Sequence, residues 1–151
     1  MIIKSLENLK LFSNQVGKNI SNSDCILLSG EIGVGKTTFS RYLINFLQEK
    51  ADIKATEVLS PTFNLLYEYE AKVLKIMHYD LYRLKNVKEV EQLGIFKETN
   101  ASIKIIEWPE FVKDNIIDKL ELNFSHSKNE NERNLEIKKY GKWKNFLIDE
   151  L

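Results

Sequence analysis

The stretch "LLSGEIGVGKTTFSRYLINFL", Leu27 to Leu47, decides the fold. An apolar run ends at Gly30, two more glycines follow at Gly33 and Gly35, and Lys36-Thr37 open a helical pattern. Glycine, four residues, glycine, lysine, threonine is the order of a phosphate-binding loop. A triphosphate carries several negative charges and must be held without bulky side chains in the way. Glycines let the main chain curl so that successive N–H groups point inward as an anion nest. A helix beginning near Lys36 adds the positive end of its dipole. Lys36 then supplies a full charge to the β- and γ-phosphates, and Thr37 offers its hydroxyl to a magnesium ion. With no nucleotide bound, Lys36 is expected to face solvent.

Outward from the loop, the pattern is that of an α/β protein. "CILLS" before the loop reads as a buried strand. After it, Phe39, Tyr42, Leu43, Phe46 and Leu47 fall at i, i+3, i+4, i+7 and i+8 and form one apolar helical stripe. Upstream, Leu6, Leu9, Phe12 and Val16 share a helical face, with Ser5 as cap. Downstream, "SPTF" reads as a loop, because Pro61 disfavours helix at Ser60. "NLLYEYE" and "KVLKIMHYD" are strand-like. "NVKEVEQLG" predicts a short helix capped by Asn86 and stopped by Gly94, with Val87, Val90 and Leu93 inward. "SIKIIE" is a further strand, whose Lys104 argues for a late start, and a brief helix is expected after Trp108-Pro109. "KLELNF" and "NLEIKK" with a polar segment between them predict an antiparallel hairpin. Trp143, Phe146 and Leu147 share a helical face near the end of the chain. The expected architecture is a P-loop NTPase fold: a central, mostly parallel sheet flanked by helices, with an antiparallel C-terminal hairpin, as a single domain over residues 1–151.

Composition bounds the alternatives. Lys and Arg total 22 and Asp and Glu total 22. Net charge therefore gives no reason to expect direct binding of nucleic acid or a membrane. The one cysteine, Cys25, excludes an internal disulfide framework and sits in an apolar run, so it reads as core. No apolar stretch approaches the roughly 20 residues of a membrane span, and "MIIKSLENLK" has no signal-peptide pattern. A cytoplasmic protein is expected.

A nucleotide site of this kind also needs a carboxylate at the tip of a neighbouring strand, to complete the magnesium shell or to position the attacking water. Two candidates exist. Ile76, His78 and Asp80 share one strand face, and Ile103, Ile105 and Glu107 share another. Either acid stands where an apolar strand ends, which is where open α/β sheets bind ligands. His78 itself reads as a buried strand histidine without a catalytic role. A GTPase is excluded by the absence of Asn-Lys-x-Asp and Asp-x-x-Gly. A small-molecule kinase needs arginines to clamp a second anionic substrate. Only Arg41, Arg83 and Arg133 are present. A compact ATPase acting on a partner is the reading favoured, with a nucleotide-dependent binding module or a small-molecule kinase as the alternatives.

"SGEIGVGKTTFSR", "SPTFNLLYEYE", "HYDLYRL", "LGI" and "IIEWPE" occur in the order seen in the TsaE (YjeE) family, and the chain resembles that family from about Ser5 to Arg133. These are the small bacterial ATPases of tRNA threonylcarbamoyladenosine formation. The resemblance implies that Glu31, Ile32, Gly33, Val34, Gly35, Lys36, Thr37 and Thr38 hold the phosphates of ATP. It implies Thr37 and Glu107 as Mg²⁺ ligands and Asp80 as the second essential acid, so that Lys36, Asp80 and Glu107 form the catalytic set. It places Thr62 over the γ-phosphate, Trp108 beside the nucleotide and Arg133 near the base. Its implied partners are TsaD and TsaB, with tRNA reached only through them. Departures are mild: Glu31, Ile32 and Val34 stand where the family usually has Asp, Leu and Ala.

Overall fold

The computed structural model describes residues 1–97 and 102–151. In chain order the elements are β1 (Ile2–Ile3), α1 (Leu6–Asn19), β2 (Cys25–Ser29), α2 (Lys36–Lys50), β3 (Leu66–Ala71), β4 (Leu74–Asp80), α3 (Val87–Gln92), β5 (Ser102–Glu107), β6 (Leu120–His126) and β7 (Arg133–Lys139). Short 3₁₀ turns cover Pro109–Phe111, Lys113–Asn115 and Gly141–Asn145. One sheet runs in the order β1-β7-β6-β2-β5-β4-β3. Its four central strands, β6, β2, β5 and β4, are parallel. Antiparallel hairpins close both sides, β6–β7 as the sequence predicts and β3–β4 at the other edge.

Alternation along β2 explains its unbroken apolar run. Ile26 and Leu28 face α1 and α2, where they meet Phe12, Val16, Phe39 and Leu43. Leu27 and Cys25 face the other way, onto Met77, Tyr79, Ile106 and Val90 of α3. Both long helices thus lie on one face, with the turn carrying Trp143; among the described residues the opposite face carries α3 and the 3₁₀ turns Pro109–Phe111 and Lys113–Asn115. Three rings tie the thick layer together, Phe12 to Phe39 at 5.9 Å and Phe39 to Phe124 at 6.1 Å between centroids.

The predicted caps are present. Ser5 Oγ accepts the Asn8 amide at 3.1 Å, and Asn86 Oδ1 accepts that of Glu89 at 3.0 Å. Gly94, at φ +70°, ends the turn after α3. Several side chains depart from their predicted places. Leu6 and Val87, at the solvent ends of their helices, are exposed. Leu93 is only half-buried, packed against the second core. The C-terminal segment is a 3₁₀ turn that becomes extended at Phe146, so Trp143 and Phe146 are buried edge-to-face but Leu147 is exposed. β5 runs from Ser102, with no late start at Lys104, because Lys104 points to the thinner face and is only half-buried.

Gly30 holds the strand-to-loop junction. Its φ is +129°, and a Cβ there would stand 2.2 Å from the Phe124 carbonyl oxygen on β6. Any side chain must push the loop off the sheet, so the first glycine of the motif is fixed by packing as well as by conformation.

Burial pushes the Cys25 thiol up to about 12, against a weaker opposing pull from Lys104 and Lys119. At pH 8 a thiol reagent should therefore modify Cys25 only as fast as the protein opens, and completely once denaturant is added. Labelling of the folded protein at the rate of a free thiol would contradict this placement.

Candidate functional site

Parallel pairing brings two acids together. β4 and β5 are in register, so Asp80 and Glu107 are Cα partners at the ends of adjacent strands. Both residues are 2% exposed. Buried carboxylates require donors, and each has them. Thr37, in the first turn of α2, points its hydroxyl at Glu107, 3.0 Å from Oε1 and 3.2 Å from Oε2. His78, wholly buried, places Nε2 2.9 Å from Glu107 Oε1. Asp80 accepts the Tyr82 amide on Oδ1 at 2.9 Å and the Thr62 hydroxyl on Oδ2 at 2.7 Å. Thr62 arrives on the predicted loop, whose Pro61 carbonyl accepts the Leu65 amide.

The loop itself wraps the N-terminus of α2. Gly35 is the cap residue at φ +120°, and Gly33 has φ +77°. Lys36 departs from expectation. It is buried, 5% exposed, and its ammonium folds back to donate to the carbonyls of Gly30 at 2.6 Å and Glu31 at 2.8 Å. Its Nζ also sits 4.2 Å from the centre of the Trp108 ring. Two carbonyls and the indole face thus satisfy the ammonium within the protein. Burial holds its pKa below the usual lysine value, although Glu107, Asp80 and Glu110 pull it back up.

Trp108 follows β5 directly and has left-handed backbone angles, φ 58° and ψ 60°. A bulky residue there is strained, and such strain gathers at functional sites. The ring lies 4.8 Å from that of Tyr82. Together these groups line a cleft of about 290 Å³ that also includes Ile32, Gly33, Gly35, Thr37, Thr38 and Ser60. A second cleft of about 280 Å³ lies on the other side of the loop, sharing Gly33, Gly35 and Thr38 and adding Val34, Glu130, Asn131 and Arg133. Arg133 is tied to this side by Nε, which donates to the Val34 carbonyl at 3.2 Å.

Of the predicted site residues, only Glu31 lines neither cleft; its carboxylate is exposed and stands 3.7 Å from His126. Sequence reasoning missed two neighbours of the acids, His78 and Tyr82, and Ser60, which pairs with Thr62 at 2.8 Å. His78 shares a strand face with Asp80, and that alternation was the available signal; its contact with Glu107 lies across strands.

A phosphate loop seated between a parallel strand and a helix, with acids on the next strands over, places the chain in the P-loop NTPase fold class. The crystal structure of Bacillus subtilis YdiB is similar in fold, with a TM-score of 0.72 over 95% of this chain and 87% of that one at 20% identity. Residues 3–135 match the model of the family described as threonylcarbamoyl adenosine biosynthesis protein TsaE. The chain belongs to the TsaE family. Relatives named tRNA threonylcarbamoyladenosine biosynthesis protein TsaE include that of Rickettsia typhi, 37% identical over 97% of this chain and 96% of its own length. That of Rickettsia conorii is 38% identical over 74% of this chain, and the match spans 61% of that protein.

The fold-back of Lys36 has a measurable consequence. Lys36→Met should change the tryptophan emission of the empty protein, because it removes an ammonium from the Trp108 face while Trp143 stays in the core. Lost hydrogen bonds and relieved burial of charge offset each other, so stability should change by less than ~1 kcal/mol, a few degrees in Tm. Unchanged emission would contradict the contact.

Proposed function

We propose that this chain binds ATP with Mg²⁺ at the loop, hydrolyses it slowly on its own, and acts on TsaD and TsaB in threonylcarbamoyladenosine modification of tRNA, resetting that complex between cycles. Residues 1–151 serve as one ATPase domain working in the cytoplasm, with tRNA reached only through the complex. One observation carries the reading: Lys36 and Thr37 of α2, Asp80 of β4 and Glu107 of β5, from three separate segments, converge on one cleft at the mouth of the glycine loop. The names of the relatives supply the pathway.

Thr37 and Glu107 give hard oxygen donors, too few to hold a metal alone, which is the donor set Mg²⁺ takes when phosphates complete its shell. Magnesium, when bound, neutralises charge between the β- and γ-phosphates. The main-chain N–H groups from Ile32 to Thr38, with Glu31 at the entrance, hold the phosphates. Lys36 exchanges its carbonyl partners for a phosphate oxygen, which sets a full negative charge directly against a desolvated ammonium. Asp80, held on both oxygens by Thr62 and Tyr82, orients the attacking water, and Thr62 lies over the γ-phosphate. Trp108 closes one wall. Arg133 and the second cleft take the base. Among the described residues no arginine lines the phosphate cleft. Slow turnover alone and faster turnover with a partner that supplies such a charge follow, since an arginine finger is worth about 10³–10⁵ in rate.

Phosphate release measured with and without TsaD and TsaB tests this. Slow release that rises with the partners is expected; background release under both conditions would make the chain a nucleotide-dependent binding module instead. Glu107→Ala should weaken nucleotide binding with magnesium but not in EDTA. Asp80→Asn should lower hydrolysis at least about tenfold more than affinity. Equal loss of both in Asp80→Asn would merge its role with that of Glu107.

A further inference from the structure

We infer that His78 is a positioning residue for the Glu107 carboxylate, resting on the reading of Glu107 as a magnesium ligand. The imidazole is wholly buried near the end of β4, on the face that carries Ile76 and Asp80. Its Nε2 lies 2.9 Å from Glu107 Oε1. An ionised carboxylate only accepts, so Nε2 carries the proton and donates it to this bond. Nδ1 finds no partner among the described residues.

That unpaired nitrogen is informative. A buried polar atom left alone costs free energy, whereas an apolar side chain of similar shape carries no such cost. His78 is the Cα partner of Ile105 on β5, and Ile76 and Ile103 lie on the same buried face. Packing there gives no reason for an imidazole; the bond to Glu107 does. The other donor to Glu107 is Thr37, whose single proton is shared between the two oxygens. Thr37 belongs to the loop and is itself read as a ligand. His78 belongs to the sheet, so its hold on Oε1 does not depend on the loop. One fixed oxygen sets the plane of the carboxylate before any ion arrives. Partners that orient a metal-binding side chain in this way typically contribute 10–100-fold in affinity.

The test is calorimetric binding of a non-hydrolysable ATP analogue, with magnesium and with EDTA, to the wild type and to His78→Leu, His78→Phe and His78→Gln. The apolar variants should fold, because Thr37 still donates to Glu107 and no unpaired Nδ1 remains. Their affinity in EDTA should stay within about twofold, and the gain that magnesium gives should shrink about tenfold or more. In His78→Gln the side-chain amide reaches where Nε2 stood and should restore most of that gain. A full magnesium gain in the apolar variants would overturn the inference. So would equal losses in EDTA and magnesium, no better gain in His78→Gln, or failure of both apolar variants to fold. A wild type that binds the analogue with no magnesium gain would overturn the ligand reading itself, which separates the two failures.

Discussion

The site depends on strand register. Leu28 of β2, Glu107 of β5 and Asp80 of β4 are successive Cα partners across three parallel strands. Because the three strands stop in one row, the loop that leaves β2 two residues later opens directly over both acids. A one-residue slip of β4 or β5 would turn its acid to the opposite face of the sheet. The apolar residues that share the acids' strand faces, Ile76, Ile103 and Ile105, pin that register by burying themselves under α1 and α2. The core therefore does two things at once: it stabilises the sheet and aims the carboxylates.

A second feature follows from the buried charges. Each group read as a ligand already has a partner inside the protein: Lys36 on two carbonyls, Thr37 on Glu107, Thr62 on Asp80. These contacts satisfy polar groups that would otherwise stand buried and alone. They also define what a nucleotide must replace. Lys36 gains most from the exchange, since two neutral carbonyls and an aromatic face are weaker partners for an ammonium than a phosphate is.

Much of this was legible in the sequence, for physical reasons. The loop, the strand before it and the helix after it are local, and glycine spacing and apolar period report local structure. Alternation placed Asp80 and Glu107 on strand faces and at strand ends. What was not legible is non-local or too short to have a period. The contact of His78 with Glu107 lies across 29 positions of chain, and only the register of two strands creates it. The fold-back of Lys36 depends on where two carbonyls point. β1 has two residues, too few for any pattern, yet it pairs with β7. Leu147 continues a helical spacing that the backbone abandons at Phe146, where ψ is 116°. The β3–β4 turn uses Lys72 at φ 56° in place of the glycine or asparagine that would have announced a tight turn.

The central claim is that a polyanion settles in the main-chain cup between β2 and α2. A crystal structure with a non-hydrolysable ATP analogue and magnesium tests it most directly. The account predicts phosphates against the amides of Gly33 to Thr37, the Lys36 ammonium moved from the Gly30 and Glu31 carbonyls onto them, and the ion between Thr37 and Glu107. Phosphates bound anywhere else, with Lys36 still on its carbonyls, would contradict it.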